Sequence, residues 1–384
     1  MKVPETDLHV LPMEDPHDLS AFDRLLHSGD VRAHDVVAIV GKTEGTGLGA
    51  DAERAAADRS LREILSKHLT IPVGEVEDHV SIILSGGSPG VITPHIAVFI
   101  QRWLPSSDLP SDGTGRLTVG RAASTSIEPE EIGRTGHVHK VAEAVREALA
   151  SAGLSGPEEV HAVLVKGPAL TEEKIQVVQA RGAEPVSTDL SIGPDGAMCY
   201  SNDASALGVA IALDEVPIER VDDASIRRDF NLYSDVALTS AAGEKSHAEV
   251  LVLGNRDDAL GSLRIGHHSM TNIVDIFAID RALASAGFNV DQATPRRDLP
   301  VAYVLAKMII PGEERLLGNR ITLSSDPVGY HVAKAMGGFM VASMTGMTCA
   351  FVSGGEHDSH QGPPGGNPLA TIVRVGPAEP HVGS

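Results

Sequence analysis

The chain has 384 residues, enough for two or three domains, and 42% of them are hydrophobic, so every third of the chain can bury a core. Only 3% are aromatic, which favours layered α/β packing of aliphatic side chains. The 31 basic and 52 acidic residues give a formal charge of −21, which excludes nucleic acid and anionic membrane as partners. Two isolated cysteines, Cys199 and Cys349, and the lack of a signal-peptide pattern or membrane span predict a cytoplasmic protein.

Short apolar runs alternate with helical patterns along the chain, which is typical of an α/β fold. A Pro/Ser/Asp-rich stretch at 104–115 is the best linker, and loops are predicted at 311–318 and 356–366. The predicted helices cover residues 18–28, 51–68, 141–152, 172–181, 198–214, 276–286 and 328–336.

An apolar run with a lysine at or near its end occurs three times, at 36–42, 161–167 and 301–307, and each run predicts a buried strand. A second strand follows each of them and ends on a serine and two small residues. The lysines are Lys42, Lys166 and Lys307, and the serine runs are Ser85-Gly86-Gly87, Ser240-Ala241-Ala242 and Ser353-Gly354-Gly355. The chain therefore carries three lysine–serine pairs, one in each third.

Further matches support an internal repeat. Residues 148–154 recur almost unchanged at 282–288, and we match their lead-ins, 132–137 and 263–268, as well. The repeat predicts three domains of similar plan. Their ranges are 1–105 with Lys42 and Ser85, 112–255 with Lys166 and Ser240, and 256–384 with Lys307 and Ser353.

Three lysines at equivalent positions would converge on one pseudo-threefold axis. Ammonium groups gathered in a partly dry site repel one another and lose hydration, and both effects lower the pKa of lysine. A neutral amine beside a serine can act as its general base and make the serine a nucleophile. The backbone N–H groups at Gly86, Ala241 and Gly354 would stabilise an oxyanion. This pattern favours acyl transfer on a small flat ring that bears carbonyls.

Other motifs are weaker. Gly41-Lys42-Thr43 lacks the upstream glycine of a phosphate-binding loop, and the histidines of His137-Val138-His139 start a helix rather than end a barrel strand. Glu356, His357, Asp358 and His360 are metal-ligand types, but as neighbours on one loop they are better explained as a polar loop folded near a site.

The chain resembles the ring-opening amidohydrolases that comprise cyanuric acid hydrolase and barbiturase. The resemblance covers the whole length in order and rests on a specific set of motifs. They are Gly41-Lys42-Thr43-Glu44-Gly45, Ser85-Gly86-Gly87, the run 204–210, Arg264-Ile265-Gly266-His267, Ser353-Gly354-Gly355 and Gln361-Gly362-Pro363-Pro364-Gly365-Gly366.

The resemblance implies three pseudosymmetric α/β domains, each with a four-stranded sheet and helices, around one central site that hydrolyses a C–N bond of a six-membered cyclic ureide. It implies Ser240 as nucleophile with Lys166 as base, Ser85 and Ser353 polarising the other carbonyls, and Lys42 and Lys307 orienting serines. It also implies catalysis without a metal cofactor, and a homotetramer. A structural divalent cation near 361–366 is less expected, because Ile309 replaces the glutamate that binds it in the family.

The family's cyanuric acid hydrolases hold the ring with one arginine per domain. Arg54 matches the first of these, whereas Asn202 and His331 occupy the other two positions. Unequal anchors suit a less symmetrical ring, since the CH₂ of barbituric acid would leave a buried hydrogen-bonding group unpaired in a symmetrical site. The prediction is therefore barbituric acid to ureidomalonate. Cyanuric acid hydrolysis to carboxybiuret, and a non-catalytic protein that binds a small ring, stay open as alternatives.

Overall fold

The computed structural model describes residues 2–105, 114–291 and 293–376. The chain forms three four-stranded sheets in succession, and we call each sheet with its helices a unit: A, B and C. Unit A has β1 (Lys2–Pro12), α1 (Ser20–His27), β2 (Val36–Thr43), α2 (Ala52–Leu69), β3 (Ser81–Gly86) and β4 (His95–Pro105). Unit B has β5 (Arg116–Ala123), α3 (Thr135–Ala152), β6 (Val160–Pro168), α4 (Glu172–Ala180), α5 (Ala197–Ala212), β7 (Ala237–Ala242) and β8 (Glu249–Arg256). Unit C has β9 (Leu263–His267), α6 (Ala278–Ser285), β10 (Val301–Ile310), β11 (Arg315–Leu316), β12 (Asn319–Arg320), α7 (Gly329–Thr345), β13 (Phe351–His357) and β14 (Leu369–Arg374).

The three sheets share one topology. Their strand orders are β1-β4-β2-β3, β5-β8-β6-β7 and β9-β14-β10-β13. In each, the lysine strand lies parallel to the serine strand and antiparallel to the last strand. The predicted fold class is confirmed.

The predicted domain ranges stay predictions. The strands of each sheet fall within one range apart from Arg256, which ends β8 one residue beyond 255. Of the predicted linker at 104–115, residues 106–113 lie outside the described residues, and Leu104 and Pro105 complete β4.

Both faces of each sheet are buried, which explains why the lysine strands are almost wholly apolar. The inner faces meet in one central core that contains Leu8, Leu164 and Leu305, one from each unit. The helices cover the outer faces and form a separate apolar cluster on each sheet. Within the described residues, no helix combines the length and apolar character needed to cross a bilayer.

Glycines explain the repeated 148–154 and 282–288 segments. A Cβ at Gly120 in β5 would lie 2.0 Å from the carbonyl oxygen of Ala148, and a Cβ at Gly266 in β9 would lie 2.2 Å from the backbone N of Ala286. The small residues ending α3 and α6 therefore pack directly on the first strand of units B and C. The lead-in match was wrong, because 263–267 is strand β9 whereas Thr135 already begins α3.

Three further expectations need correction. Helix α7 continues to Thr345 instead of ending at 336, because Gly337 and Gly338 let it pack closely against its neighbours. A Cβ added at Gly337 would lie 2.7 Å from the Met308 side chain, and one added at Gly338 would lie 2.5 Å from the Ile92 side chain. Strand β13 extends through Glu356 and His357, which were predicted in a loop. The loop predicted at 311–318 contains strand β11, which pairs with β12 in a short hairpin.

Candidate active site

The three lysine–serine pairs occupy equivalent places in the three sheets. Lys42 pairs with Ser85 across β2 and β3, and Lys166 pairs with Ser240 across β6 and β7. Lys307 pairs in the same way with Ser353 across β10 and β13. Neighbouring residues of parallel strands project to the same face, so each strand pair brings one amine and one hydroxyl together.

Two pairs form a lysine–serine hydrogen bond. Lys42 Nζ lies 3.1 Å from Ser85 Oγ, and Lys166 Nζ lies 3.3 Å from Ser240 Oγ. Each lysine also donates to the carbonyl oxygen of the residue after its serine, at 3.1 and 3.3 Å. Ser85 Oγ has a second partner, because it donates to Ser353 Oγ at 3.3 Å.

The third pair is arranged differently. Lys307 Nζ donates to Glu356 Oε1 at 2.6 Å and to the carbonyl oxygen of Thr239 at 2.7 Å. Among the hydrogen bonds of the described residues, none joins Lys307 to Ser353. Glu356 stands three residues after Ser353 on β13, and both side chains of this ion pair are almost fully buried. The sequence pattern does not pair Glu356 with a lysine.

A small cavity lies where the three units meet. Its wall contains all three serines and two of the three paired lysines, whereas Lys42 reaches the wall only through its hydrogen bond to Ser85. The lining residues are Gly47, Arg54, Ser85, Gly86, Lys166, Met198, Asn202, Ser240, Ala241, Lys307, Lys334, Ser353, Gly354 and Glu356. The predicted convergence of the pairs on one site is therefore present in the structure.

Two of the three predicted anchors line this cavity. Arg54 is held by Glu244 and by the carbonyl oxygens of Leu48 and Gly49, and Asn202 donates to Glu356. His331, the third predicted anchor, is not among the residues that line this cavity, and its role as an anchor stays a prediction. Its ring stacks on Tyr330, with centroids 3.9 Å apart.

Lys334, one turn further along α7, lines the cavity from unit C instead and donates to the carbonyl oxygen of Gly86. Lys334 is the sixth residue of α7, as Asn202 is the sixth of α5. This match depends on the helix starts seen in the structure, because the predicted starts at 198 and 328 would have placed Val332 there. No sequence pattern points to Glu244, which follows Ser240 in a turn.

Burial, together with the charges around the cavity, lowers the pKa of three amines, those of Lys42, Lys166 and Lys334. Burial, followed by the charges of Lys334 and Lys166, holds the pKa of Lys42 well below the ordinary value. Burial, followed by the charge of Arg54, does the same to the pKa of Lys166, against an opposing effect of Glu244. Burial lowers the pKa of Lys334 to about 8. The site can therefore hold neutral amines next to serine hydroxyls.

Two buried oxygens at the cavity have no hydrogen-bond partner among the described residues. They are Glu356 Oε2 and Asn202 Oδ1, on side chains that are 2% and 1% exposed. A buried acceptor without a donor is costly, so both oxygens are suited to accept N–H groups from a bound ligand.

The other metal-ligand types of the terminal loop are directed elsewhere. His357 Nε2 meets the carbonyl oxygen of Ser324, Asp358 accepts from the backbone N–H of Gly312, and His360 bonds Leu232 and Arg227. Within the described part of the chain, these side chains do not form a metal-ligand cluster. The expectation against a structural cation near 361–366 stays a prediction.

Comparison with known proteins identifies the family of this chain. The family described as amidohydrolase ring-opening protein matches residues 7–374. The chain belongs to this family. It is 46% identical to a cyclic amide hydrolase of Pseudofrankia inefficax, covering 98% of this chain and 97% of that one. It is 37% identical to a cyanuric acid amidohydrolase of Pseudomonas sp. (strain ADP), covering 96% and 99%.

The fold of this ring-opening amidohydrolase agrees with solved structures. A cyanuric acid hydrolase described as an innovation by structural concatenation superposes with a TM-score of 0.90 at 36% identity, covering 97% of this chain and 100% of that one. The cyanuric acid hydrolase of A. caulinodans gives a TM-score of 0.85 at 34% identity over the same shares. The predicted cyclic amide hydrolase is confirmed at the level of the family.

Proposed function

We propose that this ring-opening amidohydrolase hydrolyses barbituric acid to ureidomalonate with Ser240 as nucleophile and Lys166 as general base. The observation that carries the choice of pair is the difference in how the three serines are held. Ser85 Oγ is engaged by both Lys42 and Ser353, and Lys307 is committed to Glu356. Ser240 Oγ has Lys166 as its only side-chain partner among the described residues.

In the proposed reaction, Lys166 first accepts a proton from Ser240 and then gives it to the leaving ring nitrogen. Lys166 Nζ takes the Ser240 hydroxyl proton as Oγ attacks a ring carbonyl next to the CH₂ group. The ring C–N bond then breaks, and the Lys166 ammonium returns the proton to the departing nitrogen, which leaves a ureidomalonyl ester on Ser240. Water attacks this ester with Lys166 again acting as base, which releases ureidomalonate and restores the serine.

The remaining side chains suit the carbonyls and N–H groups of the ring. Ser85 and Ser353 would donate to the two carbonyls that are not attacked. The unpaired oxygens of Glu356 and Asn202 would accept ring N–H groups. The backbone at Gly86, Ala241 and Gly354 would stabilise charge on the carbonyl oxygens, Ala241 serving the attacked one.

The choice of barbituric acid rests on the unequal anchors of the three units. Unit A contributes the Arg54 guanidinium, unit B the Asn202 amide and unit C the Lys334 amine. Met198 adds a wall that offers no strong hydrogen bond, where a ring CH₂ leaves no polar group unpaired. A ring with three identical edges would not use these differences.

Cyanuric acid is the second candidate, because several relatives and solved structures of similar length carry its name. A homotetrameric state, a cytoplasmic location and independence from a metal cofactor remain predictions from the resemblance.

Loss of ultraviolet absorbance, measured with each ring in parallel, tests the proposal. We expect barbituric acid to be opened at the higher kcat/KM, and Lys166→Ala to be inactive on it. Turnover of cyanuric acid alone would contradict the substrate. Saturable binding of barbituric acid without turnover would contradict the reaction and favour a binding protein.

A further inference from the structure

A cluster of metal-ligand side chains, Asp23, His27 and His68, lies outside the active site. It faces an open cleft between α1 and α2, and the lining of this cleft shares no residue with the active-site cavity. Asp23 and His27 stand one turn apart on α1, and His68 is in the last turn of α2. His17 and Glu63 lie further along the wall.

The two imidazoles converge on one carboxylate oxygen. His68 Nε2 lies 3.0 Å from Asp23 Oδ1, and His27 Nδ1 lies 3.3 Å from the same atom. The two rings meet edge to face, with centroids 4.6 Å apart and planes at 82°. His27 Nδ1 also lies 2.9 Å from the backbone oxygen of Asp23, a contact that an ion would replace.

Hydrogen bonds account for these contacts one by one, between His68 and the Asp23 carboxylate and between His27 and the Asp23 backbone oxygen, but the spacing of the three ligand atoms also suits a metal ion. Zinc bonds to imidazole N and carboxylate O are about 2.0–2.2 Å long, so tetrahedral ligand atoms stand roughly 3.3 Å apart. The two spacings around Asp23 Oδ1 are close to this value, and one ligand atom from each of the three side chains lies within 4.8 Å of the others.

We propose that Asp23, His27 and His68 bind one divalent transition-metal ion, with Zn²⁺ the favoured ion and a further coordination position open to the cleft. Two imidazoles and one carboxylate suit Zn²⁺, whereas Mg²⁺ and Ca²⁺ prefer all-oxygen sites. The ion would join α1 to α2. Helix α1 has only eight residues and buries only Phe22 and Leu26, so such a link would stabilise its packing.

Zinc and cobalt binding to the untagged full-length protein tests this site. After dialysis against Zn²⁺, we expect one equivalent per chain by elemental analysis, a higher thermal midpoint, and visible absorption when Co²⁺ replaces zinc. Substituting a ligand should lower affinity at least about tenfold, since even partners outside the coordination sphere contribute 10–100-fold. The variants are His27→Gln and His68→Gln.

His34→Gln is the matched control, because His34 is exposed and does not line the cleft. The His27 side chain is 67% exposed, so its replacement should leave the fold intact, and an unchanged ring-opening rate checks this. No zinc uptake, or equal uptake by the parent and both ligand variants, would overturn the site. So would a loss of affinity in His34→Gln as large as in His68→Gln.

Discussion

Units B and C place the same two residues in the same register, yet their lysines have different partners. In unit B, Lys166 faces Ser240. In unit C, Lys307 turns to Glu356 and the backbone of Thr239, and Ser353 accepts instead from Ser85. The repeated fold sets the positions of lysine and serine. In unit C a single carboxylate outside the repeated pattern, Glu356, changes the hydrogen-bond partner of the lysine. The backbone of the site therefore repeats three times, whereas the hydrogen bonds of its side chains differ between the units.

The largest expected effect is the loss of kcat when a serine of the site is replaced. Ser240→Ala should lower kcat at least about 10⁴-fold, because removal of a nucleophile leaves only binding and oxyanion stabilisation. Ser353→Ala should cost about 10²–10³-fold, the value of one donor to a developing charge. Steady-state kinetics on barbituric acid measures both, and equal losses would break the distinction between the units.

The lysine of unit B should matter for rate rather than for folding. Lys166→Met should lower kcat by about 10²–10⁴-fold, the usual contribution of a general base. Its thermal midpoint should not fall, because a buried amine is replaced by a side chain of similar length. A variant that unfolds instead of losing rate would place Lys166 in the structure and not in the chemistry.

The lysine of unit C should matter for stability. Lys307→Met leaves the buried Glu356 carboxylate without its cation and should lower the free energy of unfolding by about 3–5 kcal/mol. Adding Glu356→Gln to this variant should restore much of the loss, since the remaining amide carries no charge. Chemical denaturation of the parent, both single variants and the double variant measures the coupling.

Features that units B and C share should have equal effects in both. Gly120→Ala and Gly266→Ala each force a Cβ against a helix backbone and should cost about 1–3 kcal/mol of stability. Gly74→Ala is the control, because no atom lies within 4 Å of its added Cβ, and its effect should stay within roughly 0.5 kcal/mol. Denaturation midpoints compare all three, and a large difference between Gly120 and Gly266 would argue against equivalent packing.

The smallest expected effect is on the pH profile. Because the pKa of Lys166 is lowered, its free amine persists to lower pH than in an ordinary lysine, and kcat/KM should fall as pH drops through that pKa. Glu244 opposes the lowering, so Glu244→Gln should move the acid limb to still lower pH. The exposed Glu219→Gln should leave it in place. A shift to higher pH would contradict the assignment.

The lysine and serine strands could be predicted from the sequence because both faces of these strands are buried. Continuous apolar runs ending on lysine or serine have few alternatives to a strand that is buried on both faces. The sequence was insufficient for β1, in which polar and acidic residues alternate with Val3 and Leu8 and resemble a solvated tail. The strand is recognisable only once β4 is placed beside it.

The anchors of the ring depend on details that a pattern does not fix. His331 and Lys334 are one helical turn apart, so the choice between them requires the starting residue and phase of α7. Glu356 was expected in a loop because glycines precede it, whereas Gly354 and Gly355 adopt φ of +128° and +104° within β13 and carry the strand onward. Tertiary packing decides both positions.

Trapping the acyl-enzyme tests the central claim most directly. The parent protein would be mixed with barbituric acid, quenched in acid within milliseconds to seconds, digested and analysed by mass spectrometry. We predict a ureidomalonyl adduct on the peptide that contains Ser240, and none on the peptides with Ser85 or Ser353. An adduct on Ser85 or Ser353 would contradict the assignment of unit B as the reacting unit.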